Sequence, residues 1–114
     1  FGITASDSTL HVEAYLGGGS GCPTMNSPTP DYALILGRVT RPTSAMPSSS
    51  PGNILDYQGD LLGGPLGAAA TTVTLTPVAA MDDTFVAFDA NLAFAAGTVT
   101  GHVYATHCAS LDTD

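Results

Sequence analysis

Apolar and polar residues alternate with a period of two along several stretches of this chain. In "STLHVEAYL" the even positions Leu10, Val12, Ala14 and Leu16 are apolar, and the odd positions carry Thr9, His11, Glu13 and Tyr15. Successive side chains of a strand point to opposite faces, so this pattern predicts a half-buried strand with one wet face. "YALILGRV", residues 32–39, is apolar on both parities until Arg38, which predicts a central strand covered on both faces. "NILDYQ" reads as a short strand. "TTVTLTP" reads as a strand with Val73 and Leu75 on one face and Thr72, Thr74 and Thr76 on the other.

The last third carries the clearest signal. In "TFVAFDANLAF" the even positions Val86, Phe88, Ala90, Leu92 and Phe94 are all apolar, with Asp89 and Asn91 opposite. "AAG" follows as a turn. Then "TVTGHVYATH" sets Val99, Gly101, Val103 and Ala105 against Thr98, Thr100, His102, Tyr104 and Thr106. Two alternating runs joined by a short glycine-containing turn predict a long antiparallel hairpin.

Between these runs lie two loops dense in Gly, Pro and Ser, residues 17–31 and 40–52, which are expected to be exposed and mobile. The segment 59–70, "GDLLGGPLGAAA", is apolar but broken by Gly-Gly-Pro, and reads as a strand end or loop packed on the core. No stretch has the pattern of an amphipathic helix, and no internal repeat is visible. Roughly six to eight short strands joined by Gly/Pro-rich turns predict an all-β fold, an antiparallel β-sandwich with a small barrel as the alternative, with 1–114 as a single domain. The immunoglobulin topology fits badly, because there is no Trp for the core and the two cysteines sit near opposite ends of the chain.

Composition narrows the partners. Charged residues are 11% of the 114 residues, against about 25% in ordinary soluble chains. There is no lysine; Arg38 and Arg41 stand against ten acids, for a net charge of -8. A phosphate backbone is held by clustered Lys and Arg, so nucleic acid is a poor partner, and an anionic membrane surface is disfavoured for the same reason. No apolar run approaches the roughly 20 residues of a membrane span. The chain begins at Phe1 rather than Met, as a processed or trimmed chain would.

Cys22 and Cys108 allow one intramolecular bridge, which would close almost the whole chain into a loop. Two buried free thiols are the alternative, and a reactive thiol is a third reading. The stretch "GHVYATHC", residues 101–108, crowds two histidines and one cysteine into eight residues. Strand alternation sends His102 and His107 to opposite faces, so they converge on one metal only through a bulge. His11 meets His102 if the first and last strands are neighbours, and Glu13 or an Asp nearby would complete a Zn²⁺ or Cu²⁺ site from His11, His102 and His107. The plainer reading makes His11 and His102 solvated strand residues and His107 a hydrogen-bonded cap on the core edge. A Cys108/His107 nucleophile pair is opposed by the same alternation.

"GGGSGC" lacks the order of a nucleophile elbow and opens no helix. Asp56 with Asp60, and Asp82 with Asp83, offer carboxylates for Ca²⁺, but without calcium-loop spacing; turns closed by Asp side chains are the plainer reading. A carboxylate pair for glycoside cleavage lacks the aromatic platform a sugar needs. The chain therefore reads as an exported, non-catalytic domain, extracellular, periplasmic or on a cell surface. It would bind a protein partner or self-assemble through loops or edge strands. A His-based metal module and a hydrolase of hidden site are the alternatives.

Overall fold

A computed structural model describes residues 1–40, 48–78 and 84–114. The architecture is all-β: two antiparallel sheets pack on one another, as the alternation predicts. The strands are β1 (Gly2–Thr4), β2 (Thr9–Leu16), β3 (Tyr32–Val39), β4 (Ser48–Ser49), β5 (Gly52–Asp56), β6 (Gly67–Ala69), β7 (Thr72–Pro77), β8 (Phe85–Phe94) and β9 (Gly97–Thr106). A single 3-10 turn, Ala109–Leu111, follows. One sheet has the order β1-β2-β3-β5-β6 and the other β4-β7-β8-β9.

The expected hairpin is β8–β9, paired from Phe85↔Thr106 to Phe94↔Gly97, so that Ala95 and Ala96 make the turn. Val86, Phe88, Ala90 and Leu92 are buried on the inner face of β8. They meet Val73 and Leu75 of β7 and, from the other sheet, Leu10, Val12, Leu36 and Val39 in one hydrophobic cluster. Burying each large apolar side chain contributes about 1.5–3 kcal/mol, so this cluster is the main stabilising feature of the fold.

Two departures from strict alternation have physical causes. Leu36 and Val39 are three residues apart, yet both are buried. A β-bulge explains this: Leu10 pairs with Val39 and Val12 with Leu36, so β3 carries one extra residue there. Arg38 takes the left-handed conformation at that point, with φ of 52°, and its guanidinium reaches Asp7 Oδ2 at 3.6 Å. Thus part of the double-parity apolar signal of 32–39 comes from the bulge, while Ala33 is buried on the outer parity and Leu34 packs against the cluster from the inner one.

The second departure is in β2. Leu10 and Val12 are buried, but Ala14 is exposed and Leu16 is 64% exposed. The strand runs past the region covered by the facing sheet. The inner-parity residues Val99 and Gly101 of β9 are likewise exposed, at the edge of the other sheet.

Of the two predicted loops, 40–52 is shorter than expected, because Ser48–Ser49 pairs with β7 and Gly52 already belongs to β5. Its middle, 41–47, lies outside the described residues, as do Asp82 and Asp83. Within 59–70 the strand end is β6, paired with β5. The edge of β1 is not open. Cys108 N–H donates to Phe1 O at 2.7 Å, Thr113 N–H to Ile3 O at 3.0 Å, and Ala5 N–H to Thr113 O at 2.9 Å. Gly2 permits this seam, since a Cβ there would come within 2.1 Å of Leu111 O.

Candidate functional site

The structure joins Cys22 to Cys108 in a disulfide, with Cα atoms 5.4 Å apart and a sequence separation of 86. That bridge excludes the free-thiol and nucleophile readings of Cys108. It also fixes one side of loop 17–31, which has further pins. Ser110 Oγ donates to Pro23 O at 2.6 Å. Asp31 N–H donates to Leu16 O at 2.8 Å, closing the loop's two ends on each other. Ser27 N–H donates to Thr24 O at 3.0 Å and Thr24 N–H to Ser27 Oγ at 2.9 Å, an internal turn. Pro- and Gly-rich sequence led to the expectation of a mobile loop; in the structure a disulfide and a hydrogen bond tie it to the chain's C-terminal segment, and its ends and an internal turn are closed by further hydrogen bonds.

That shape encloses a cleft of about 260 Å³. It is lined by the glycine-rich run from Gly17 to Gly21, by Pro28 to Pro30, and by Tyr15 and Tyr57. Tyr15 is on the outer face of β2, where it pairs with Ala33. Tyr57 directly follows β5, and its N–H donates to Asp31 O at 3.0 Å. The two rings remain 42% and 43% exposed, so both offer surface to a ligand. Gly17 is required here: its φ is +76°, and a Cβ would meet Asp31 Oδ2 at 2.5 Å.

Carboxylates flank the same end of the molecule. Asp31 Oδ1 accepts from Gln58 Nε2 at 2.6 Å, and Asp60 Oδ1 accepts from the Tyr32 hydroxyl at 2.6 Å. Donating to that carboxylate holds the Tyr32 phenol in its neutral form and pushes its pKa up to about 12. Asp56 is 2% exposed. Burial by itself would raise its pKa. Backbone N–H groups of Leu62, Gly59, Leu61 and Asp60 donate to it and outweigh that effect, leaving the carboxyl below its ordinary value. The shortest of these bonds are from Gly59 at 2.7 Å and Leu62 at 2.8 Å.

Both carboxylates of the expected calcium pair, Asp56 and Asp60, are hydrogen-bonded within the protein. A ring of N–H donors presents positive polarity to Asp56, the reverse of what a cation cage presents. Asp56 closes the turn at 56–62, and Asp60 anchors Tyr32 of β3.

The three histidines are not brought together. His11 is in the first sheet and His102 in the second, so β2 and β9 do not pair as a joint site would need. Each ring has its own carboxylate: His11 Nε2 with Glu13 Oε1 at 2.7 Å, His102 with its cross-strand partner Asp89, and His107 Nε2 with Asp112 Oδ1 at 2.9 Å. His107 also lies against the Phe1 ring, 5.4 Å between centroids, and Asp112 accepts in addition from Ile3 N–H at 2.8 Å. Those bonds, the one from Ile3 foremost, hold the Asp112 carboxyl below its usual value. Among the described residues no group of three or more His, Cys, Asp or Glu side chains is placed to hold a metal ion.

The cleft was missed from sequence because its parts are 42 residues apart, Tyr15 on one strand and Tyr57 after another. The signal that could have found it was the coincidence of three of the four tyrosines at strand ends flanking Gly/Pro loops.

Fold and site together define an antiparallel β-sandwich that carries a disulfide-pinned, tyrosine-lined cleft at one end. Among the described residues no helix is long and apolar enough to cross a membrane. Comparison with protein-family models, with curated proteins and with solved structures gives no match.

Proposed function

We propose that this chain is an exported, non-catalytic β-sandwich domain that works by binding, and that the Tyr15/Tyr57 cleft under loop 17–31 is its contact surface. The cleft carries this reading. It is concave, two exposed aromatic rings line it, and a disulfide and backbone hydrogen bonds hold it in shape before any ligand arrives. Aromatic anchors on a rigid frame are what recognition surfaces use. The disulfide supports an oxidising location, extracellular, periplasmic or at a cell surface.

The test is an array of peptides and glycans probed with the intact oxidised protein and with a Tyr15→Ala/Tyr57→Ala variant of equal melting temperature. Ligands retained by the parent and lost by the variant support the reading. Ligands held equally by both overturn it.

A specific observation favours a second reading, a subunit of an assembly. Strand β9 is ten residues long and forms the edge of its sheet, and its only ionisable residues are His102 and Tyr104. Such an edge is open to strand addition unless charge or proline blunts it. Sizing over a wide concentration range checks this: growth in size that Thr100→Lys abolishes supports it, and a monomer throughout excludes self-assembly.

A further inference from the structure

We infer that the cleft takes a planar, N–H-rich cation, the side chain of an arginine in a peptide partner. The inference rests on the binding reading above and deepens it.

Size comes first. Sites for whole drug-sized ligands occupy about 300–1,000 Å³. At about 260 Å³ this cleft suits one side chain rather than a whole small molecule.

Polarity comes second. Pro28 and Pro30 of the lining have no N–H to offer, and the Asp31 carboxylate, outside the lining itself, lies beside Gly17 at its edge. Asp60 adds a second carboxylate next to Tyr32 at the same end of the sheet. The lining itself carries no charged side chain, so the negative field comes from Asp31 beside it and from the chain as a whole, with its net charge of -8. Arg38, the one cationic side chain among the described residues other than histidine, faces Asp7 instead.

Aromatic lining comes third. Exposed tyrosine faces attract cations through their ring quadrupole, and guanidinium both stacks on them and donates in the ring plane to carbonyls and carboxylates. Lysine offers a point charge with no stacking plane, so arginine is favoured.

A glycine run also invites comparison with anion-binding loops, whose successive N–H groups cradle phosphate. Here Asp31 lies beside the first glycine, and a second anion would be repelled.

The experiment is a titration of the isotope-labelled, oxidised chain, followed by amide chemical shifts, with three probes. These are a blocked Gly-Arg-Gly peptide, the same peptide with citrulline in place of arginine, and inorganic sulfate. The arginine peptide is expected to shift Tyr15, Gly17 to Gly19 and Tyr57, and to bind more weakly as salt is raised. Citrulline keeps shape and hydrogen bonding but lacks the charge, and is expected to bind at least tenfold more weakly. Tyr57→Ala is expected to weaken arginine binding about two- to thirtyfold. Tyr57→Phe keeps the ring and is expected to retain it, which separates stacking from a folding defect.

Equal binding of both peptides, shifts confined to other surfaces, or cleft shifts with sulfate alone would each overturn the inference. If the array yields a cleft-dependent ligand without a cation, the arginine assignment fails and the binding reading stands. If no ligand depends on the two tyrosines, both fail.

Discussion

The hydroxyl of Tyr32 donates to Asp60 Oδ1 across 2.6 Å, tying the start of β3 to the turn that follows β5. The bond is made only by the protonated phenol, and this is the main reason its pKa is raised from 10.0 to about 12. The folded state binds that proton more tightly than the unfolded chain does. Its contribution is therefore complete below about pH 10 and is lost as pH rises through 12. Followed by phenolate absorbance, Asp60→Asn is expected to return one tyrosine to ordinary titration. An unchanged curve would show that the bond does not govern the phenol.

Asp56 has the opposite sign. Its carboxyl lies below the ordinary aspartate value of 3.8, so its contribution is present above that pH and is lost as pH falls further. Asp56→Asn replaces an acceptor oxygen with an amide that must face N–H donors. The variant is expected to melt several degrees lower at about pH 7. It is also expected to lose part of the parent's acid-induced decline, because the titrating group is gone. Thermal melts of both proteins between about pH 3 and 7 check this.

Removing the disulfide by Cys22→Ala/Cys108→Ala opens a loop of 86 residues. In the chain-entropy account that costs about 4–5 kcal/mol, a large share of the stability of a domain this size. Urea unfolding of the two proteins measures it. Intact-mass analysis before and after reduction, with a gain of two hydrogens, confirms the bridge itself.

Two leucines on the same face of neighbouring strands are expected to respond very differently. Leu36 is 1% exposed and Leu16 is 64% exposed. Leu36→Ala is expected to cost about 2–5 kcal/mol, for lost burial and the cavity left behind. Leu16→Ala is expected to cost less than about 0.5 kcal/mol. Similar losses at the two positions, measured by urea unfolding, would mean that β2 does not overrun the facing sheet.

Much of the fold is a local property of the chain. The alternation of Val86, Phe88, Ala90 and Leu92 with Asp89 and Asn91 is a strand with one dry face wherever it is placed, and the short "AAG" break after it leaves room only for a hairpin. The paired cysteines, too few to offer a choice of partner, fixed their own connectivity once a bridge formed. Which parts of each strand are covered was not legible, since coverage depends on where the other sheet ends. Leu16 and Leu10 share a parity and a residue type and differ only in what lies across from them. The bulge at Arg38 was hidden for a similar reason: an extra residue is defined by its partner strand, and Leu36 and Val39 read as a break in period until they are aligned with Val12 and Leu10.

The candidate site divides the same way. That His102 and His107 fall on opposite parities is legible from the alternation alone, and the scarcity of Lys and Arg is legible from composition. That His11, His102 and His107 each meet a separate carboxylate, that Asp56 gathers N–H donors, and that Tyr15 and Tyr57 line one cleft are products of tertiary structure. Period and composition are carried by neighbours in sequence, so the sequence by itself determined strands, one wet face per strand and an acidic, lysine-free surface. Convergence is carried by neighbours in space, so only the packing of sheet, loop and disulfide brought Tyr15 and Tyr57 to one cleft.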